Sequence, residues 1–160
     1  MNTIAIKEMD LGSFQKYGRY APVLQPTTPC LGTSPIRFFR DILSLGNEPV
    51  TVSNTVVDPM PMIVDTMEYH SRTGEGFMIL DADAVICLGI ATSDGKLPQT
   101  LEAFHLRQGV MVYINPGVWH YAPYPTGNQP INSLVLLPER TYALDCQKVV
   151  LAADERFILK

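Results

Sequence analysis

Thirteen prolines and eleven glycines are scattered along this chain of 160 residues, and they leave no room for a long regular element. Proline removes a backbone donor and clashes inside a helix, and glycine weakens helix interiors. No segment keeps a helical apolar period for long, which argues against a helical bundle. From Pro61 onward the pieces between these breakers read as strands. The apolar or alternating runs are 62–69, 76–80, 84–91, 100–106, 109–114, 133–137 and 147–151. Between them lie SRTGEG, DAD, TSDGKLP, RQG, NPG, APYPTGNQP and PERTY, all dense in turn formers. This close spacing predicts an all-β sandwich or barrel of antiparallel strands. A short helix is expected at Leu11 to Tyr17, with Gly18 as its C-terminal cap and Phe14 and Tyr17 on one face. A second helical turn is expected at Arg37 to Leu43. Residues 20–36 hold four prolines and read as an irregular arm. With no repeat or linker, the chain reads as one domain, 1–160: an N-terminal helix and arm over 1–60 and a barrel core over 61–160.

Composition narrows the function classes. Hydrophobic residues make up 46% of the chain, enough for a core without metal or disulfide staples. A net charge of −4 leaves no basic footprint for nucleic acid. The longest apolar run, Ala84 to Ala91, is eight residues, too short to span a membrane as a helix. The opening MNTIAIKEMD has no basic stretch followed by an apolar one, so no secretory leader and a cytoplasmic location are expected. Cys30, Cys87 and Cys146 form an odd set without a CxxC pair, which predicts reduced thiols. Cys87, inside VICLGIA, reads as a core residue.

Two of the three histidines sit in informative company. Residues two apart on a strand share a face, so Glu68 and His70 project together, and Glu75 can return from beyond the next turn. The run from Gly109 to His120 is an apolar strand followed by an Asn115-Pro116-Gly117 turn that delivers His120 to the next strand. His105 shares a face with Leu101 and Ala103 and reads as a core or rim residue. Arg37, Arg72 and Lys96 are the candidate carboxylate binders, with surface charge as the plainer role for each. Tyr121 or Tyr124 can line a pocket mouth, and Tyr113 is a further candidate substrate contact. Arg37 and Arg40 flank Phe38-Phe39, a patch suited to the arm or to a dimer contact.

Glu68-x-His70 followed by Glu75 resembles the first motif of the cupin superfamily, with Glu in place of the usual first His. Gly109, Gly117 and His120 keep the spacing of the second, with the proline displaced to Pro116. The resemblance implies a cupin-type antiparallel β-barrel or jelly roll with an internal pocket. In it, Glu68, His70, Glu75 and His120 converge as candidate ligands of a divalent first-row metal such as Ni, Mn, Fe or Zn. A metal-free site is the alternative.

The match narrows to the ureidoglycolate lyase family. Leu11, Phe14, Tyr17 and Gly18 resemble its opening helix and turn. Glu68, His70, Thr73 and Phe77 resemble its central motif, Gly109 to Pro123 with Trp119-His120 its most recognisable stretch, and Asp145-Cys146 a pair near its C-terminus. The resemblance implies cleavage of (S)-ureidoglycolate to glyoxylate and urea by a homodimer acting on a small-molecule substrate. That chemistry needs a base at the hydroxyl, for which His70 or Glu68 qualifies, and an acid at the leaving nitrogen, for which His120 qualifies. The chain departs from the family at Asp81, where a Lys is expected, at Asn54 and Thr55, where an Arg is expected, and at Glu75, where Gln is usual. These changes remove positive charge and add a metal ligand. They bring into view a metal-dependent cupin of another activity, such as an isomerase or dioxygenase, or a ligand-binding cupin without turnover.

Overall fold

A computed structural model describes residues 2–160. In chain order the strands are β1 (Asn2–Ile4), β2 (Ile6–Glu8), β3 (Gly18–Pro22), β4 (Cys30–Leu31), β5 (Phe38–Phe39), β6 (Thr51–Val57), β7 (Ile63–Val64), β8 (Thr66–Tyr69) and β9 (Glu75–Ile79). They continue as β10 (Ala84–Ile90), β11 (Glu102–Leu106), β12 (Val110–Ile114), β13 (Val118–Trp119), β14 (Tyr124–Pro125), β15 (Ile131–Leu137), β16 (Gln147–Val150) and β17 (Phe157–Leu159). The helices are α1 (Leu11–Phe14) and α2 (Thr141–Leu144).

Two sheets carry the architecture. One runs β3-β12-β9-β15-β6, and the other runs β13-β10-β11-β2 with β14 also on β10. The inward residues of the first, Phe77, Ile79, Val112, Ile114 and Ile131, meet Ile86, Leu88, Phe104 and Leu106 of the second in one apolar core. Phe14, Tyr17 and Tyr20 add edge-to-face aromatic contacts around Phe104 and Phe14. The outer face of the second sheet is covered as well. Val85, Cys87, Ala103 and Trp119 pack there on Ile4, Val64, Leu151, Phe157 and Leu159. These come largely from the small sheet β1-β17-β7 and its flanks. Burial on both faces is why Ala84–Ile90 is continuously apolar rather than alternating.

The strand runs expected beyond Pro61 are present, with one break at Asp65 between β7 and β8. The region before residue 60 differs from expectation. The supposed helix-and-arm segment contributes β1, β2, β3 and β6 to the sheets, β1 and β2 pairing in parallel with β17 and β11. The helical turn expected at Arg37 to Leu43 is instead β5, which pairs with β4, followed by irregular chain; the second helix is at Thr141–Leu144. The first helix is shorter than expected and ends at Phe14, with the Asp10 carboxylate accepting from the Ser13 amide at its start. Gly18 is not its left-handed cap. It opens β3, where a Cβ would lie 1.9 Å from the Tyr113 carbonyl oxygen of β12.

Candidate active site

The backbone brings the two histidine segments together. Glu68 and His120 exchange amide-to-carbonyl bonds of 2.6 and 2.8 Å, and the Gly117 amide donates to the His70 carbonyl at 2.7 Å. Gly117 stands at φ +78° in the turn after β12, a conformation that disfavours any other residue and that aims the following strand at β8. Tyr69, on the opposite face of β8 from Glu68, packs against Trp119 with the ring centroids 4.5 Å apart and the planes tilted by 53°. That contact holds the strand while its other face meets the cavity.

The side chains converge on one carboxylate oxygen. His70 Nε2 lies 3.1 Å and His120 Nε2 3.2 Å from Glu75 Oε2, and all three residues are largely shielded from solvent. Each ring is fixed from behind. His70 Nδ1 donates to the Asp145 carbonyl at 2.6 Å, and His120 Nδ1 to the Val118 carbonyl at 2.8 Å. A carbonyl only accepts, so both Nδ1 atoms carry protons. In a neutral imidazole Nε2 would then present a lone pair to the carboxylate, which is repulsive. The arrangement requires positive charge between the nitrogens and Glu75, supplied by protons on Nε2 or by a cation. Burial alone would raise the Glu75 pKa, but hydrogen bonds from His120 and His70 outweigh it and hold the carboxyl at about 2. Burial likewise opposes charge on His120, yet the Glu75 hydrogen bond and charge raise its pKa above the ordinary value.

The same atoms suit a metal. The three ligand atoms lie within 4.8 Å of one another. Two imidazoles and a carboxylate with open positions form a familiar set for divalent first-row ions, and imidazoles anchored through Nδ1 to carbonyls have the orientation such ligands need. Glu68, the fourth expected ligand, lines the same cavity but stands outside this cluster. Its carboxylate instead accepts from the Cys146 thiol at 3.6 Å. Burial, with Glu68 beside it, pushes that thiol up to about 11, so Cys146 is a proton donor here and not a thiolate.

The cavity around the cluster has a volume of about 340 Å³. Tyr121 lines it, and its hydroxyl accepts from Lys148 Nζ at 3.0 Å. Lys148 is the cation that reading the sequence missed. It lies opposite Glu68 in the β16–β8 pairing, a neighbour relation that no local pattern announces. Arg72 and Tyr113 do not line this cavity. Tyr113 alternates with the core residues Val112 and Ile114, so it faces the other side of β12, beneath the Arg19 guanidinium. It shares a smaller cavity of about 190 Å³ with Arg72, whose guanidinium donates to the Leu144 carbonyl. Tyr124 is buried and donates to the Ile63 carbonyl. His105 lies away from this cavity, between the Glu8 and Asp83 carboxylates.

Asp145 has a larger part than expected of a structural residue. Its carboxylate accepts five hydrogen bonds, from the Ser71 amide and hydroxyl, the Arg72 amide, and the Thr73 amide and hydroxyl. Burial opposes its charge, but these donors keep the carboxyl well below the usual range. The residue thus ties the loop after His70 with its side chain and orients the His70 ring with its carbonyl.

Comparison with known proteins bears on the family and the fold. The family model for ureidoglycolate lyase matches residues 1–158. The chain belongs to the ureidoglycolate lyase family. Among solved structures, a dTDP sugar isomerase from Desulfovibrio desulfuricans G20 is similar over 86% of this chain and 87% of its own, with 14% identity and a TM-score of 0.57. That likeness is one of fold alone, two packed β-sheets of jelly-roll type. An oxalate decarboxylase from Bacillus subtilis, described for its Mn(II) centres, matches 65% of this chain and 24% of its own at 20% identity and a TM-score of 0.45. A search of curated protein sequences returned no match. Among the described residues, no helix is long and apolar enough to cross a membrane.

Proposed function

We propose that this protein is a carbon–nitrogen lyase that cleaves ureidoglycolate, or a close ureido hydroxy acid, to an oxo acid and urea. The observation that carries this reading is a cation, Lys148, in the same cavity as the His70–Glu75–His120 cluster and the separate carboxylate of Glu68. Family membership supports it. Lys148 with Tyr121 receives the substrate carboxylate, replacing the positive charge that the family pattern places at positions held here by Asp81 and by Asn54 or Thr55.

Glu68 is free of the triad and faces the cavity, so it takes the proton of the substrate hydroxyl. As the O–H bond breaks, the carbonyl forms and the C–N bond to urea breaks. The leaving nitrogen takes a proton from His120, whose pKa the Glu75 hydrogen bond and charge raise against its burial. A divalent ion held by His70, Glu75 and His120 would take the place of the proton on His120 Nε2 and would instead supply Lewis-acid stabilisation of the developing negative charge. His70 and Glu75 position the rest of the site whether protons or an ion fill the triad.

The test is release of urea from (S)-ureidoglycolate, with and without added divalent metal. Wild-type protein is expected to release urea, and Glu68→Gln to lose about 100-fold or more in turnover. Lys148→Gln is expected to raise KM more than it lowers kcat, since a carboxylate anchor contributes binding in ground and transition states alike. Wild-type protein that releases no urea under either condition would overturn the reading.

A further inference from the structure

Inward-facing rows cross the sheet beneath the cavity. Register places Phe77 beside Val135 and Val135 beside Ser53, and in the next row Ile79 beside Ser133 and Ser133 beside Thr55. Opposed residues of an antiparallel pair share a face. Glu75, two residues before Phe77 on β9, is on that face too. The cavity wall therefore changes character along its length. Glu75 and the imidazoles occupy one end, Phe77 and Val135 the middle, and the Ser133 and Thr55 hydroxyls the other end. Glu75 and Ile79 are four residues apart on β9, a span of about 13 Å.

Ser133 is 1% exposed and lines the cavity, yet its Oγ has no hydrogen-bond partner. Buried hydroxyls are normally paired. The cavity is also large for the substrate proposed above. Its volume of about 340 Å³ falls in the range of sites that enclose drug-sized ligands, and ureidoglycolate would fill only part of it. The hydroxyl end carries no charged side chain, so the group it suits is neutral and polar. A carboxylate there would meet no cation. An amide or ureido group offers a donor and an acceptor to hydroxyls that can do both.

We propose that the cavity takes an extended acid. Its carboxylate end sits at Lys148 and the triad, its tail crosses Phe77 and Val135, and a terminal amide or ureido group bonds to Ser133 Oγ with Thr55 beside it. This goes beyond the lyase reading and rests on it only for the anchoring of the carboxylate. Calorimetric titration of the whole protein with ureidoacetate, 4-ureidobutyrate, 6-ureidohexanoate and octanoate tests it. Affinity is expected to rise about tenfold from the shortest to the longest ureido acid. Ser133→Ala is expected to weaken the longest about fivefold while leaving ureidoacetate and octanoate unchanged. Thr55→Val, on the exposed edge strand, is expected to act in the same direction and cannot disturb the core. A flat series, equal losses for octanoate, unchanged ratios in both variants, or no binding of any probe would overturn the proposal. Urea release from ureidoglycolate with a flat series would keep the lyase and discard the tail site. A length preference without urea release would do the reverse.

Discussion

Asp145 shows how much a single residue can settle in this site. Its carboxylate satisfies three consecutive amides, and a shortened side chain would leave those donors without their partner in a loop where Ser71 and Arg72 are exposed and Thr73 is half-buried. Leaving such groups unpaired costs about 1–3 kcal/mol each at most, with some relief from water. Asp145→Ala is expected to lower stability by about 2–4 kcal/mol, read by chemical denaturation. It should also weaken divalent-metal binding about 10- to 100-fold, because the His70 ring is oriented from the same segment. Unchanged metal affinity alongside lost stability would confine Asp145 to the loop. At this scale the sequence was only partly legible. Glu68, His70, Glu75 and His120 could be named from spacing, and the cavity holds all four. The division of labour could not be, since it depends on which side chain reaches which: Glu75 bridges the imidazoles while Glu68 meets Cys146. Lys148 and Ser133 enter the site through strand pairing across long sequence separations, which leaves no local trace.

Among the elements, legibility followed burial. Strands with a buried face, such as β9 and β12, or two, such as β10, announce themselves by apolar periodicity. The strand missed most completely is β6. It is an edge strand exposed over its first six residues, and its cavity face is built of Thr51, Ser53 and Thr55, so it carries no apolar signal. β3 was missed for a different reason: Gly18 looks like a helix cap in sequence, while in the structure it lets β3 approach β12. A Cβ there would meet a backbone oxygen, which cannot rotate away as a side chain would. Gly18→Ala is therefore expected to cost about 3 kcal/mol or more, at the high end of overpacking. Hydrogen exchange should show the loss concentrated in 18–22 and 110–114, the paired strands. A loss below about 0.5 kcal/mol would mean that the two strands can separate at that point without consequence.

At the scale of the whole molecule, the same triad ties stability to pH in two opposite senses. Glu75 and Glu102 are held at about 2, the latter by Lys16, Lys7 and Tyr17 against its partial burial, and Asp145 is also lowered. A carboxyl depressed in the folded state adds stability above its unfolded pKa, near 4 to 4.5, and loses it as the pH falls toward the folded value. The melting temperature is thus expected to fall steeply between about pH 4.5 and pH 2 whatever fills the triad. The alkaline side separates the two fillings. With protons on Nε2, His120 has a raised pKa, so its contribution is complete below about pH 6.5 and is lost as the pH climbs through the folded value. With a metal, protons compete for the same nitrogens, so binding and the stability linked to it grow as the pH rises over that interval. The linked gain is about 2.7 kcal/mol at a metal concentration 100 times its dissociation constant. Thermal melts from pH 6 to 9 in chelator and in added Mn, Ni or Zn are expected to diverge with pH, falling in chelator and holding or rising in metal. Parallel curves would mean that the His70–Glu75–His120 cluster does not exchange protons for a cation, and would leave imidazolium as the only positive charge that its geometry can hold.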